Sequence, residues 1–348
     1  VSEYGITVRW DKNFLTLLYL TLSRNPYLKT YGGVRLGGTL TLEDAWAMGI
    51  DHVAIAAGAG RPALIDIENN LCRGIHKASD FLMALQLTGA FKKNALANLQ
   101  IRLPAIVIGG GLTAIDTATE LLAYYVVQVE KALTRWEVLI GKPEEHACAE
   151  DPVAWRQLRE ASLLKGFDEE EREIMLEQLA HGKAVRQERA RAQAEGREPA
   201  FTPLLQQWGG VSLVYRKNLI DSPAYRLNHE EVEKSLEEGV HYIERMAPKA
   251  ALTDRFGALR AMTFERQKVE GTKWSATGEM IELPARTVCV AAGTSPNTIY
   301  EKEHPGTFVL GKGGFFAPHQ VVHTEDGPRV EPAPGGFFTS YQRDGHVV

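Results

Sequence analysis

The clearest pattern along the chain is a short apolar run that leads through three glycines into a long helical repeat. Residues 105–108 (AIVI) are small or β-branched and follow Pro104, which predicts a short buried strand. Beyond the glycines, apolar residues recur at helical spacing: Ile115, Leu122, Val126, Val129, Leu133 and Trp136. No glycine or proline interrupts this repeat before Gly141, so we predict that one helix continues to that point.

Three further apolar runs predict strands. GVSLVYRK (residues 210–217) alternates apolar and polar positions after a Gly-Gly break. DHVAIAAGAGRP (51–62) and RTVCVAAGTSPN (286–297) each predict a buried strand that ends in Ala-Ala-Gly and is followed by a proline. Small residues at a strand end allow a flat ligand or another backbone to come close. Because these two runs bracket the glycine turn, we predict one domain inserted in another.

The segment between the glycine helix and residue 210 has a helical character. Residues 151–164 predict one helix, and an acidic run from Phe167 continues into the basic KAVRQERARAQ, which stops at Gly196. We predict a solvated helical hairpin here, with docking of another domain or subunit as a hypothesis. Near the end of the chain, GKGGFF (311–316) and PAPGGFF (332–338) predict turns.

Composition narrows the class of protein. The 348 residues are enough for about two domains. A net charge of −5 argues against nucleic acid or an anionic membrane as the main partner. The apolar run 14–22 is far shorter than the ~20 residues that span a bilayer, and it lacks a signal-peptide pattern. Cys72, Cys148 and Cys289 include no C-x-x-C pair, which predicts reduced thiols in a cytoplasmic protein. Since the chain begins at Val1, we expect a piece of a longer polypeptide.

The glycines match the pattern G-x-G-x-x-A of a dinucleotide-binding turn. Gly109 permits the tight turn, Gly111 lets the backbone approach a pyrophosphate, and Ala114 keeps the helix close to the strand. The first N–H groups of the helix then hold the phosphate charge, so we include Gly110 and Thr113 in the expected site. A strand before the turn and a helix after it raise the specificity of an otherwise weak motif.

Two positions compete for the residue that recognises the cofactor ribose. Glu130 lies at the usual distance and would indicate NAD, but it falls within the helical repeat, where a solvated side chain is expected. Arg216 and Lys217 end the run 210–217, and a guanidinium there suits the 2′-phosphate of NADP. We favour Arg216 and NADPH. This choice requires a helical insertion, at about 124–205, between the strand at 105–108 and the strand at 210–217.

Four stretches together resemble the glutamate synthase small-subunit-like flavoproteins, within the pyridine nucleotide-disulfide oxidoreductase superfamily. They are VAIAAGAGRP, AIVIGGGLTAIDTA, VSLVYRKNLIDSPAYRLNHEEVEKSLEEGVHY and VCVAAGTSPN. The resemblance implies NADPH and FAD as cofactors, with Gly109, Gly111 and Ala114 facing the pyrophosphate and Arg216 and Lys217 holding the 2′-phosphate. It also implies a basic position at Arg226. The turns containing Ala57 with Gly58 and Ala292 with Gly293 would lie near the junction of the cofactors.

The chain departs from that family in several places. Leu112 stands where the family usually has Asn or Asp, and Thr119-Glu120 replaces a small residue followed by Arg. The first FAD fingerprint and the late Gly-Asp motif of the family are expected outside the sequence given. We therefore expect that FAD-domain segments of the same polypeptide are missing and that the chain alone holds FAD weakly and is inactive.

The sequence thus predicts an α/β fold: a Rossmann-like parallel-sheet NAD(P)H-binding domain (99–290) with a helical insertion, inserted in an incomplete FAD-type domain (1–98 and 291–348). The expected reaction is hydride transfer from NADPH to FAD, with electrons passed to a partner domain or subunit. It needs no catalytic side chain, and no metal site is expected, because the ten histidines form no ligand spacing. The alternatives are an NAD-dependent dehydrogenase and a non-catalytic docking or regulatory module.

Overall fold

The structure, a computed structural model, describes residues 13–141, 151–343, 346 and 347. The described residues form these helices: α1 Asn13–Ser23, α2 Leu42–Ala47, α3 Ala78–Leu87, α4 Leu112–Ile140, α5 Pro152–Leu164, α6 Glu169–Glu195, α7 Thr202–Gln207, α8 Pro223–Leu227, α9 His229–Glu237 and α10 Ile299–Glu303. Their strands are β1 Ala59–Pro62, β2 Ile75–Lys77, β3 Ala105–Ile108, β4 Val211–Val214, β5 His241–Ile243, β6 Met246–Thr253, β7 Leu259–Glu270, β8 Lys273–Pro284, β9 Thr287–Val290, β10 Thr294–Pro296, β11 Pro318–Thr324, β12 Gly327–Pro332, β13 Phe338–Thr339, β14 Gln342–Arg343 and β15 His346–Val347.

The described chain divides into two compact units, residues 64–292 and residues 13–63 with 293–347. The sequence placed the boundaries at 98/99 and 290/291 instead. Residues 64–98 belong to the first unit because they supply β2, which pairs with β9, and α3, which packs in the same core as α4. The assignment of the units to NADPH and FAD domains stays a prediction.

The first unit contains a five-stranded parallel sheet in the order β2-β9-β3-β4-β5. The sequence pattern of the central strand explains its two covered faces. Val107 belongs to the core shared with α3 and α4, whereas its neighbours Ile106 and Ile108 belong to a second core with β7. A strand buried on both faces is continuously apolar, as parallel strands are. This sheet confirms the predicted α/β fold.

The antiparallel sheet on the second face is an element that the sequence did not predict. It has the order β6-β7-β8, and its buried residues Met262 and Phe264 share a core with Ile106 and Val288 of the parallel sheet. The first unit therefore has three layers: helices, the parallel sheet and the antiparallel sheet.

The predicted helical insertion is confirmed. Its most extensive helix–helix packing is between α4 and α6. A β-carbon at Gly182 of α6 would lie 2.5 Å from the carbonyl oxygen of Val129, so glycine allows the two helix backbones to approach closely. The predicted helix after the glycine turn runs without interruption to Ile140. The basic run of α6 also has a structural role, since Arg189 donates two hydrogen bonds to Glu130 at 2.7 and 2.9 Å.

The second unit shows one wrong prediction. Residues 51–58 form no strand and are largely exposed, and only the following β1 pairs, antiparallel, with β10. A buried parallel strand needs partners on both sides, and the described part of this unit offers residues 51–58 none. The turns at 311–316 and 332–338 are confirmed, since the first precedes the β11–β12 hairpin and the second follows it.

Candidate functional site

The candidate site lies at the carboxyl edge of the parallel sheet. Ile108 ends β3 and is level with Val214 of β4 and Val290 of β9. The residues that follow these three strands therefore lie side by side. Two hydrogen bonds tie them together: Gly109 N–H donates to Val214 O at 3.1 Å, and Ala291 N–H donates to Ile108 O at 2.8 Å.

The three glycines of the turn have different surroundings. A β-carbon at Gly109 would overlap the carbonyl oxygen of Ala291, and one at Gly110 would overlap the ring of Tyr215. A β-carbon at Gly111 would meet no atom within 4 Å. Open space at the last glycine is what a pyrophosphate requires of this position. Gly109 and Gly110 are therefore glycine because neighbouring atoms approach them closely. Backbone strain is not the reason, since none of the three glycines has a positive φ.

The amino end of α4 presents an uncompensated positive pole. Gly111 is the N-cap residue, and no side chain caps the helix there among the described residues. The first turn contains no acidic residue, so the free N–H groups near Leu112 and Thr113 are available to an anion. Thr113 is exposed, whereas Ala114 is fully buried and holds the helix against the sheet.

Arg216 lies two residues beyond β4, next to Tyr215, whose ring covers Gly110. Its side chain is exposed and forms no hydrogen bond or ion pair within the described chain. Lys217 is half-buried. Arg226 on α8 is largely exposed, with a guanidinium nitrogen 3.9 Å from Asp221 Oδ1. The structure thus brings Arg216 to the same sheet edge as the glycine turn.

Glu130 does not occupy a strand end. It lies in the middle of α4, where its carboxylate accepts two hydrogen bonds from Arg189 of α6. The helical location agrees with the sequence interpretation, but the side chain is ion-paired and only 22% exposed. The sequence gave no sign of this pairing, because Arg189 lies 59 residues away.

The two Ala-Ala-Gly turns are divided between the units. Ala57, Gly58 and Gly293 belong to the second unit, and Ala292 ends the first. Within the second unit, Asn297 Nδ2 donates to Ala57 O at 3.1 Å, and Ala63 N–H donates to Gly293 O at 2.9 Å. Gly58 and Gly293 have φ of +74° and +100° with open space around them. A role for these four residues at a cofactor junction stays a prediction.

The thiols and the remaining titratable groups offer no redox pair or metal cluster among the described residues. Cys289 is buried in β9, and burial raises the pKa of its thiol to about 12. Cys72 is half-buried, and burial raises the pKa of its thiol as well. Cys148 lies outside the described residues. In the part of the chain that is described, no helix is long and apolar enough to cross a bilayer.

Sequence reasoning missed three contributors to the site. The Tyr215 ring lies against Gly110, and Ala224 N–H donates to Gly110 O at 3.0 Å, which fixes the turn against α8. Arg245, after β5, has a φ of +60°, and its Nε donates to Asn218 Oδ1 at 2.7 Å. The backbone N–H of Arg245 donates to Lys217 O at 3.1 Å, so the backbone of Arg245 lies next to the segment after β4. Such contacts join distant residues, and spacing along the sequence does not signal them.

Comparison with curated proteins finds a relative in sequence. No family model matches the chain. A protein of Rickettsia prowazekii (strain Madrid E), designated "Uncharacterized protein RP006", is 40% identical over 264 residues, which are 76% of this chain and 33% of that protein. The chain thus spans about a third of the length of this curated relative, whose designation states no activity.

Several solved oxidoreductases match the structure at low similarity. Mycobacterium tuberculosis FprA in complex with NADPH gives a TM-score of 0.45 at 13% identity, over 84% of this chain and 61% of that chain. Thioredoxin reductase from T. acidophilum gives a TM-score of 0.36 at 10% identity, over 75% of this chain and 49% of that chain. An FAD-dependent pyridine nucleotide-disulphide oxidoreductase from Desulfovibrio vulgaris gives a TM-score of 0.34 at 11% identity, over 76% of this chain and 40% of that chain. TM-scores below 0.5 do not establish a common fold, so the description of the fold rests on the sheet itself.

Proposed function

We propose that this chain is the NADPH-binding core of a flavin-dependent oxidoreductase of the glutamate synthase small-subunit type. In this proposal the intact protein transfers hydride from NADPH to FAD and passes electrons to a partner domain or subunit. The acceptor is proposed from the sequence resemblance alone.

The observation that carries the proposal is the arrangement at the carboxyl edge of the sheet. An unobstructed glycine, a helix amino end without a side-chain cap and a guanidinium without a partner, as far as the described residues show, follow two adjacent parallel strands. Ligands of open α/β sheets bind at such carboxyl edges. Gly111 and the first N–H groups of α4 suit a pyrophosphate, and Arg216 suits a 2′-phosphate, because a guanidinium pairs strongly with phosphate oxygens.

The residues of this chain act by binding and orientation. Tyr215 and Ala224 hold Gly110 in place, which fixes the helix amino end relative to Arg216. Bound together, NADPH and FAD would supply hydride-transfer chemistry, which needs no side-chain acid or nucleophile from this chain. The turn with Ala57 and Gly58 and the turn with Ala292 and Gly293 are each proposed to leave the backbone accessible to a flat ring.

The test is a calorimetric titration of the chain with NADPH and with NADH, on the wild type and Arg216→Ala. A charge-assisted hydrogen bond contributes about 1.5–3 kcal/mol, so the wild type should prefer NADPH by roughly 10- to 100-fold. Arg216→Ala should lose that preference and keep its affinity for NADH. Arg260→Ala is the matched control, because Arg260 is a half-exposed arginine on β7 that pairs with Glu282.

Each outcome has a defined meaning. Equal affinities for the two cofactors in the wild type would contradict the 2′-phosphate site and favour an NAD-dependent dehydrogenase. Absence of binding by a folded wild type would favour the non-catalytic module, in which the glycine turn is purely structural. If Arg260→Ala also lost the preference for NADPH over NADH, the effect would not be specific to Arg216, and the assignment of the 2′-phosphate site to Arg216 would be wrong.

A further inference from the structure

The helical layer of the first unit contains a cavity of about 230 Å³ beside α4. Its apolar wall is formed by Leu139, Phe167 and Met175. Dry cavities of about 150 Å³ hold benzene, so this volume admits an aromatic ring and one small substituent.

The cavity is lined by two cations and by no carboxylate. Lys131 is 6% exposed, and its ammonium donates to the carbonyl oxygens of Ala90 at 2.7 Å and Ala97 at 3.0 Å. An ammonium has three N–H donors, so one remains. Arg135 donates to the carbonyl oxygens of Ala95 and Leu96. Neither cation pairs with a carboxylate in the described chain, although buried charges normally have a counter-ion.

Trp136 also lines the cavity. Trp136 is 4% exposed, and its Nε1–H has no acceptor among the described residues. That nitrogen has almost no accessible surface, so it does not face the cavity, and Trp136 contributes only apolar surface to the lining. The cavity therefore combines an apolar wall with a surplus of donors and of positive charge.

We propose that this cavity binds a small carboxylate with an aromatic or similarly compact apolar body. The carboxylate accepts from the remaining donors of Lys131 and Arg135 and neutralises them, and the apolar body packs on Phe167 and Met175. Lys131 is 20 residues along α4 from Gly111, about 30 Å at 1.5 Å per residue, so this site is distinct from the glycine turn.

The first experiment uses benzoate as the probe, with benzyl alcohol and acetate as matched comparisons, in calorimetry and saturation-transfer NMR on the whole chain. Ligands of this size bind in the millimolar range or tighter. Benzoate should bind, while benzyl alcohol, which lacks the charge, and acetate, which lacks the ring, should each bind at least about 10-fold more weakly. A wild type that does not bind millimolar benzoate, or that binds benzyl alcohol equally well, overturns the proposal without any variant.

Two variants locate the bound probe. Phe167→Leu reduces the apolar wall of the cavity and should weaken benzoate binding by about 2- to 10-fold. Arg135→Gln removes a positive charge and should weaken it by about 10-fold or more. Arg156→Gln is the control, since Arg156 is a half-exposed residue of α5 outside the cavity lining. Melting temperatures establish that each variant is folded. Unchanged benzoate affinity in both cavity variants would show that Lys131 and Arg135 only hold the carbonyl groups of residues 90–97.

Discussion

A side chain at Gly109 would overlap the carbonyl oxygen of Ala291, whereas a side chain at Gly111 would point into open space. At Gly109 the neighbouring strand end approaches too closely for a β-carbon. At Gly111 no neighbouring atom restricts the position, as the proposed pyrophosphate site requires. The sequence pattern places both glycines correctly, but it cannot distinguish their roles, because the strand end at Ala291 is distant in sequence.

This contrast predicts unequal effects of the same substitution on stability. Gly109→Ala should lower the free energy of unfolding by about 1–3 kcal/mol or more, because the new methyl group must displace backbone. Gly111→Ala should lower it by only about 0.5–1 kcal/mol, because alanine is a poorer N-cap than glycine but its methyl group meets no neighbour and a φ of −96° is unstrained. Urea denaturation of the two variants measures the difference. Equal destabilisation would contradict the description of the turn.

At the scale of elements, the insertion is held on the sheet domain by a small polar cluster. The hydroxyl oxygen of Tyr125 in α4 lies 2.7 Å from His181 Nδ1 in α6. The His181 ring stacks on the Trp208 ring, with the ring centroids 3.9 Å apart. Burial lowers the pKa of His181 to about 4, which means that the folded state holds the neutral ring. Nearby, Glu177 of α6 accepts hydrogen bonds from Arg286.

The lowered pKa of His181 predicts an acid-sensitive contribution to stability. The unfolded histidine takes up a proton below about pH 6.5, and the folded one does so only near pH 4. Unfolding therefore binds a proton in this window, so the contribution is complete above pH 6.5 and falls as the pH is lowered towards 4. Since the ring is half-buried and screened, we expect a loss of about 1–2 kcal/mol.

The measurement compares wild type with His181→Phe, which keeps a ring for stacking on Trp208 and cannot titrate. The difference in free energy of unfolding between the two should shift in favour of the variant as the pH falls from 7 to 4. A difference that does not depend on pH would show that His181 is protonated equally in both states.

The elements also show what the sequence could predict. The helix α4 was predictable to its end because its apolar repeat has no breaker before Gly141. The position of β4 was predictable because residues 211–214 alternate after Gly210. The strand predicted at 51–58 was wrong, since an apolar run carries no information on whether partner strands are present beside it. The sheet β6-β7-β8 has no signature motif, and its core contacts with Ile106 and Val288 depend on the folded chain.

At the scale of the whole molecule, a chain with a net charge of −5 carries the Arg216 guanidinium at the sheet edge where the glycine turn lies, and no residue in the described part of the chain pairs with it. Overall charge repels a nucleotide weakly, and the local cation and the helix amino end attract it. The candidate site therefore depends on local geometry and not on composition. The sequence could nominate the glycines and Arg216 as candidates, and the parallel register of β3 and β4 shows that they follow neighbouring strands at one sheet edge.

The central claim is that the glycine turn binds the cofactor pyrophosphate, and the affinity of Gly111→Thr for NADPH tests it most directly. Threonine is as good an N-cap as glycine, so the fold should be kept, while its side chain fills the open space. We predict a melting temperature close to that of the wild type and a loss of NADPH affinity of about 30-fold or more, equivalent to roughly 2 kcal/mol. A folded Gly111→Thr variant that binds NADPH as tightly as the wild type would contradict the account.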